Sequence, residues 1–167
     1  KGQKLYFARD GYISFYSNAP LENIKAVNQQ VNTIFNYKKG EVVVKVLIRS
    51  FEFEKALMQE HFNENYMESS TYPKSIFKGK IKNYEPFALN KDKTYNVVVT
   101  GDLTIKDVTQ KIEEKGKVHV KDGKLRLNTE FMINLDDYKI KIPGSVVNNI
   151  SKNIKITYKT TLSKLER

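Results

Sequence analysis

The side chains that could carry out chemistry are few in this sequence, and their spacing gives little support for catalysis. No ligand set at the usual metal-site spacing accompanies the two histidines, His61 and His119. The sequence has no Gly-x-Ser-x-Gly nucleophile elbow, and it contains no cysteine. We therefore predict that the protein is not an enzyme and that it holds no metal.

Two pairs of adjacent carboxylates, Glu113-Glu114 and Asp136-Asp137, are the remaining candidates for acid–base chemistry. Neighbouring residues on an extended chain point to opposite faces, so the two members of each pair are poorly placed to act together. His119 alternates with valines, which predicts a side chain directed to solvent. His61 lies in a segment with helical character, where a structural or exposed histidine is favoured over a catalytic one.

Alternation of apolar and polar residues dominates the chain and predicts long strands with one apolar face. In the segment that begins at Lys124, the residues Leu127, Phe131 and Ile133 share one face, while charged and amide side chains occupy the other. Asp-Gly and Lys-Gly pairs separate such segments, as hairpin turns require. The pattern is typical of antiparallel sheet, and about seven to nine strands suit a sandwich or an up-and-down barrel.

Three segments depart from simple alternation. Residues 54–66 are rich in helix formers and predict one short helical insertion between two strands. Pro143-Gly144 ends a strand, and the residues after it predict a short helical turn near 144–150. Residues 24–34 also carry apolar side chains at helical spacing, but their β-branched content favours a strand.

The chain is strongly basic, with 29 Lys and Arg against 19 Asp and Glu and a formal net charge of +10. Such a balance suits nucleic acid, an anionic membrane surface or a well-solvated exterior. The lysines are spread over many predicted outer faces, which favours the solvated exterior. Most aromatic residues, including Phe15, Phe77 and Phe131, share faces with aliphatic residues, and this disfavours base stacking on nucleic acid.

Length and composition predict a single domain over residues 1–167. The hydrophobic content of 40% is enough for a core, and no proline- or serine-rich linker divides the chain. No apolar run approaches the roughly 18 residues of a membrane-spanning helix. Because the sequence begins with Lys1 rather than Met, we expect that a preceding segment, such as a signal peptide, was removed.

The order of several segments resembles that of the YceI-like family of bacterial lipid-binding proteins. In that family an opening strand, a short helical insertion, an aromatic-acidic stretch, a Tyr-Pro pair and a strand with a phenylalanine precede a strand with glycine, leucine and threonine. The corresponding segments here are Phe15–Pro20, Phe62–Tyr66, Tyr72-Pro73, Phe77, Val99–Ile105 and the C-terminal Val146–Leu162. Two departures are Asp107, where many members have glycine, and a missing histidine in an early strand.

The resemblance implies an all-β fold, an eight-stranded antiparallel lipocalin-like β-barrel, in a periplasmic or secreted protein. It implies binding, for storage or transport, of a long-chain amphiphile such as a polyisoprenoid, a quinone or a fatty amide. It implies no cofactor other than a bound isoprenoid or fatty-acid-like lipid. The basic exterior suits transient contact with an anionic membrane surface, and a monomer and a dimer both stay open.

The expected ligand contacts are the residues on the apolar faces, together with apolar residues of the helical insertion that would form a wall or lid at one mouth. These residues are Phe15, Val44, Val46, Leu57, Met58, Phe62, Tyr66, Phe77, Ile81, Val97, Val99, Phe131, Ile133, Ile156 and Tyr158. We expect the polar headgroup of the amphiphile to lie near Tyr66, His61 or Asn65. The alternatives are a basic β-barrel nucleic-acid-binding module and a secreted structural or stress protein whose core is filled.

Overall fold

Strands account for most of the fold, which is known from a computed structural model that describes residues 4–18, 23–142 and 151–166. The strands are β1 (Leu5–Ser17), β2 (Ile24–Asn36), β3 (Glu41–Leu47), β4 (Glu52–Phe53), β5 (Lys74–Ile81), β6 (Lys93–Ile105), β7 (Val108–Lys121), β8 (Lys124–Asn134) and β9 (Asn153–Lys164). The helical insertion predicted over residues 54–66 consists of helix α1 (Ala56–His61) and a π-helical turn (Phe62–Tyr66). The helical turn predicted near 144–150 lies outside the described residues.

Eight of these strands close into an antiparallel barrel. Their order around the barrel is β1, β9, β8, β7, β6, β5, β3, β2, and the pairing of β2 with β1 completes the circle. The short strand β4 adds to β2 at Ala26 and Val27. Since every pairing is antiparallel, one face of each strand meets the interior and the other meets solvent. The predicted eight-stranded antiparallel barrel is confirmed.

The segment with helical spacing is strand β2, as its β-branched content predicts, and the strand contains a bulge. Ala26 and Asn28 are buried, two exposed residues follow, and burial resumes at Val31. The pairing with β1 shifts register over the same residues, and the Asn28 side chain accepts a hydrogen bond from the Gln30 backbone. A bulge inserts one residue and moves the inner phase by one position, so Ile24 and Val31 both face inward. The other two apolar residues at helical spacing, Val27 and Ile34, lie on the outer phase, and Ile34 is 50% exposed.

Aromatic rings close one end of the barrel. The Tyr84 hydroxyl donates to the Tyr37 carbonyl, and the Tyr37 hydroxyl donates to the Phe87 carbonyl. The ring centroids of Phe87 and Tyr95 lie 4.8 Å apart. Tyr84 packs where a side chain at Gly40 would project, since a Cβ there would lie 2.4 Å from its ring. The loop between β5 and β6 therefore forms a floor that shuts this end.

The barrel wall is interrupted on one side, between β7 and β8. These strands pair only where Gly116–Lys121 runs beside Lys124–Thr129. In the described residues before Gly116, β7 pairs with β6 alone, while the last residues of β8 pair with β9 alone. A 3₁₀ turn, Leu135–Tyr138, follows β8 and lies beside this gap, where the Gln110 side chain donates to the Asp137 carbonyl over 2.7 Å.

Candidate functional site

The barrel encloses an elongated cavity of about 270 Å³. All eight barrel strands contribute side chains to its wall, from Phe35 and Val42 near the aromatic floor to Phe51 and Phe62 at the opposite end. The lining is almost wholly carbon, from valine, isoleucine, leucine and phenylalanine side chains. A well-packed core leaves few voids larger than a water molecule, so a continuous apolar space of this size is suited to a guest molecule.

Most of the predicted ligand-binding residues meet in this cavity. Its lining includes Phe15, Val44, Val46, Phe62, Tyr66, Phe77, Ile81, Val97, Val99, Phe131, Ile133, Ile156 and Tyr158. Leu57 and Met58 do not line it, and the Leu57 side chain is 63% exposed. Each residue of an α-helix advances by about 100° around the axis. Phe62 follows Leu57 by five residues, so their side chains project about 140° apart and face different ways. Alternation alone did not single out Phe51, Met67 or Ile140, which join the wall from turns.

Phenylalanines gather around the helical insertion at the end opposite the floor. Phe62 stacks on Phe15 with ring centroids 5.3 Å apart. The Phe53 ring lies 5.0 Å from the Phe62 ring, and the Phe51 ring lies 5.7 Å from it. Aromatic pairs at these separations stabilise each other beyond their buried area. Since Phe15, Phe51 and Phe62 also line the cavity, this cluster both anchors the insertion and closes part of the mouth.

Polar groups are sparse on the inner wall, and one of them is already paired. The Tyr158 hydroxyl hydrogen bonds to the Thr33 hydroxyl over 2.5 Å, and both residues are buried. Burial raises the pKa of Tyr158, and the bond to Thr33 opposes that rise. Burial also raises the pKa of Tyr66, whose ring lines the cavity at the insertion. Glu114 is the one carboxylate among the described residues of the wall.

The histidines make contacts outside the cavity. His61 Nδ1 lies 3.1 Å from Asn65 Oδ1 on the exposed side of the insertion, so these two proposed headgroup contacts bond to each other. His119 Nε2 lies 2.9 Å from Asp92, and its Nδ1 lies 2.6 Å from the Thr94 hydroxyl. The described residues contain no group of three or more His, Asp or Glu arranged to hold a metal ion.

The basic residues of the strands lie on the outer surface, as the alternation predicts. Lys111 pairs with Asp102 at 3.5 Å and Lys155 with Glu130 at 3.9 Å, and all four side chains are well exposed. The rings of Phe15, Phe77 and Phe131 face the cavity, so they are not available for stacking against nucleic acid. Of the helices in the described ranges, none combines the length and apolar character needed to cross a membrane.

A closed antiparallel barrel around an apolar cavity, with one end shut by aromatic rings, defines a lipocalin-like barrel. The family model of the YceI-like domain matches residues 12–162, and the chain belongs to this family. The recognition based on the order of its segments is therefore confirmed. No curated protein sequence matches the chain.

Solved structures share this fold at low sequence identity. A polyisoprenoid binding domain from Saccharophagus degradans, implicated in plant cell wall breakdown, has a TM-score of 0.82 and 13% identity, with 98% of this chain and 99% of that chain covered. Burkholderia cenocepacia BcnA has a TM-score of 0.74 and 14% identity over 92% and 96% of the two chains. The Campylobacter jejuni YCEI protein has a TM-score of 0.66 and 18% identity, with 90% of each chain covered.

Proposed function

We propose that this protein binds one long-chain amphiphilic lipid inside its barrel and stores or transports it without catalysis. The observation that carries the proposal is the cavity of about 270 Å³ with an almost wholly apolar lining. A polyisoprenoid, a quinone with an isoprenoid tail or a fatty amide would fit this chemistry. The similarity to a polyisoprenoid binding domain supports the same class of ligand.

Burial of the lipid tail supplies the driving force. Removing apolar surface from water is favourable by about 25 cal/mol per Å², or about 0.8 kcal/mol for each buried methylene group. Each added methylene should therefore tighten binding by roughly fourfold until the cavity is full. A filled barrel core would show no such dependence on chain length, because it has no room for the tail.

The direct experiment identifies what the protein carries. Protein purified without detergent is extracted with organic solvent, and the extract is examined by mass spectrometry. The delipidated protein is then titrated with fluorescent long-chain probes. We expect one class of long-chain lipid in the extract and saturable binding at one site per barrel. An empty barrel that also takes up no hydrophobic probe would refute the proposal.

Neighbouring residues of β8 offer a matched pair of variants. Ile133 lines the cavity, whereas Met132 is 55% exposed on the outer face of the same strand. Ile133→Trp fills part of the cavity and should weaken probe binding at least tenfold, while Met132→Trp should leave it unchanged. Thermal unfolding of both variants distinguishes a blocked cavity from a protein that fails to fold. Equal binding by the two folded variants would place the ligand elsewhere.

The proposal extends to a periplasmic or secreted protein that meets anionic membranes transiently. A net charge of +10 and exposed lysines on the outer faces of the strands support electrostatic attraction to such surfaces. Co-sedimentation with vesicles that contain phosphatidylserine should be measurable at low salt and should fall steeply as salt is raised. Equal sedimentation with neutral vesicles would contradict this part of the proposal.

Tight binding to a single-stranded oligonucleotide at physiological salt would instead favour the nucleic-acid alternative.

A further inference from the structure

Glu114 is the one carboxylate among the described residues that line a mostly apolar cavity, and the exposed Lys117 also borders that cavity. Along β7, the inner residues Ile112, Glu114, Gly116 and Val118 line the cavity, and the residues between them are more exposed. The inner direction of Glu114 therefore follows from the strand itself and not from a local distortion. Its position is the middle of β7, at the point where pairing with β8 stops.

The adjacent acid shows the ordinary arrangement on the opposite face. Glu113 is exposed, and the Lys82 ammonium lies 3.2 Å from it. In the described residues, by contrast, no hydrogen bond or ion pair reaches the Glu114 carboxylate. Burial raises the pKa of Glu114, because the charged form loses solvation inside the barrel.

The gap in the wall places a second polar group near Glu114. Tyr138 ends the turn that lies beside the gap, and it is 2% exposed. Burial, Asp137 and then Glu114 together raise the pKa of Tyr138 to about 12. The carboxylate of Glu114 and the ring of Tyr138 thus share one neighbourhood at the interruption between β7 and β8, with Leu135 and Ile140 lining the cavity beside them.

An unpartnered acid at an apolar wall is costly, because a carboxylate that loses water without gaining a hydrogen bond destabilises the fold. An aliphatic residue would serve the wall better if packing were its purpose. A partner supplied by the ligand would remove this cost, since a hydrogen bond to a charged group contributes more than one between neutral groups.

We propose that Glu114 accepts a hydrogen bond from the polar head of the bound lipid, so that the barrel selects long-chain amphiphiles with a donating head: a primary amine, a primary amide or an alcohol. The inference rests on the proposed lipid-binding function and narrows its ligand class. Heads that only accept hydrogen bonds, or that carry negative charge, meet the carboxylate unfavourably. Quinones, fatty acids and phosphate esters are therefore disfavoured at this position.

The test compares lipids that share one chain and differ in their heads. Delipidated protein is titrated with oleylamine, oleamide, oleyl alcohol and oleic acid, each below its aggregation concentration, by displacement of a fluorescent probe. The amine, amide and alcohol should bind at least tenfold more tightly than the acid, as a hydrogen bond to a charged group predicts. Glu114→Leu should abolish this preference, and Glu114→Gln should reduce it most for the amine.

Glu113→Gln is the matched control, because it removes a carboxylate from the outer face of the same strand. It should leave every affinity unchanged. A second readout needs no ligand: delipidated Glu114→Gln should have a higher Tm at neutral pH than the native protein, since it removes a half-buried charge without a partner, whereas Glu113→Gln should not.

The possible failures are distinguishable. If no long-chain lipid binds, the proposed function is wrong. If all four lipids bind equally to the native protein and to Glu114→Leu, lipid binding stands and the role of Glu114 is wrong. If oleic acid binds most tightly and Glu114→Gln strengthens it further, the carboxylate is an obstacle to the head and not its partner. Loss of binding in Glu113→Gln would also overturn the assignment.

Discussion

Replacing Tyr158 by phenylalanine tests whether the buried hydroxyl pair stabilises the barrel. The Tyr158 and Thr33 hydroxyls lie 2.5 Å apart, and the two residues are 9% and 1% exposed. Tyr158→Phe removes one partner and leaves the other hydroxyl buried without a hydrogen bond, which costs about 1–3 kcal/mol. For a chain of this size a loss of about 2 kcal/mol lowers Tm by roughly 4–8 °C.

The double variant gives this prediction its sharpest form. Thr33→Val should destabilise the protein by a similar amount, because it isolates the Tyr158 hydroxyl instead. Removing both hydroxyls leaves no unsatisfied group, so the double variant should lose less than the sum of the two single losses, by about 1–2 kcal/mol. Urea unfolding of delipidated protein measures these free energies without the stabilisation that a bound ligand adds.

Strict additivity of the two single losses would refute the inference that the hydroxyls depend on each other. A ligand-binding measurement separates this role from the cavity. The Tyr158 ring lines the cavity, but its hydroxyl is occupied by Thr33. Tyr158→Phe should therefore change the affinity for a long-chain probe by no more than about twofold, which corresponds to roughly 0.4 kcal/mol.

Three further outcomes are expected. Phe62→Ala should destabilise the protein by about 3 kcal/mol, since Phe62 is 8% exposed, whereas Leu57→Ala, at a side chain 63% exposed, should stay within about 0.5 kcal/mol in urea unfolding. Gly101→Ala puts a Cβ 2.3 Å from a backbone oxygen of β5 and should unfold the barrel. Gly123→Ala meets no atom within 4 Å and should cost only the roughly 1 kcal/mol of its left-handed backbone conformation. Circular dichroism distinguishes the two outcomes. Unfolded tyrosines lose their protons near pH 10, whereas Tyr138 keeps its proton in the folded protein because its pKa is raised to about 12. The free energy of unfolding should therefore fall as pH rises above 10. A constant urea midpoint up to about pH 11 would contradict this.

Alternation identified the inner wall correctly wherever a strand runs without interruption. On β8, Leu127, Phe131 and Ile133 face the cavity because a barrel strand keeps one phase from end to end. Alternation fails at the bulge in β2, because residues 28–30 carry no sequence signal for the extra position. Barrel closure came from the family resemblance and not from periodicity, which cannot separate a barrel from a sandwich.

The sequence pattern does not predict which residues of the insertion and the turns contact the cavity, because these contacts depend on where the chain lies over the mouth. Helical spacing identified Phe62 but also suggested Leu57, which faces solvent. The inward direction of Glu114, by contrast, follows from the sequence. Val118 and Val120 set the inner phase of β7, and counting back by twos reaches Glu114, so the strand pattern alone predicts an acid inside the barrel.

The pairing of β1 with β9 has a consequence for how the protein forms. The widest of the other barrel seams joins β3 to β5 across β4 and the helical insertion, whereas this one joins residues as distant as Phe15 and Ile156. A ribosome therefore releases almost the whole curved sheet before the strand that seals it is available. Until then β1 and β8 present unpaired edges and the apolar wall meets water, a state prone to aggregation. Sealing of this seam should be the slow step of folding, because it orders the longest loop.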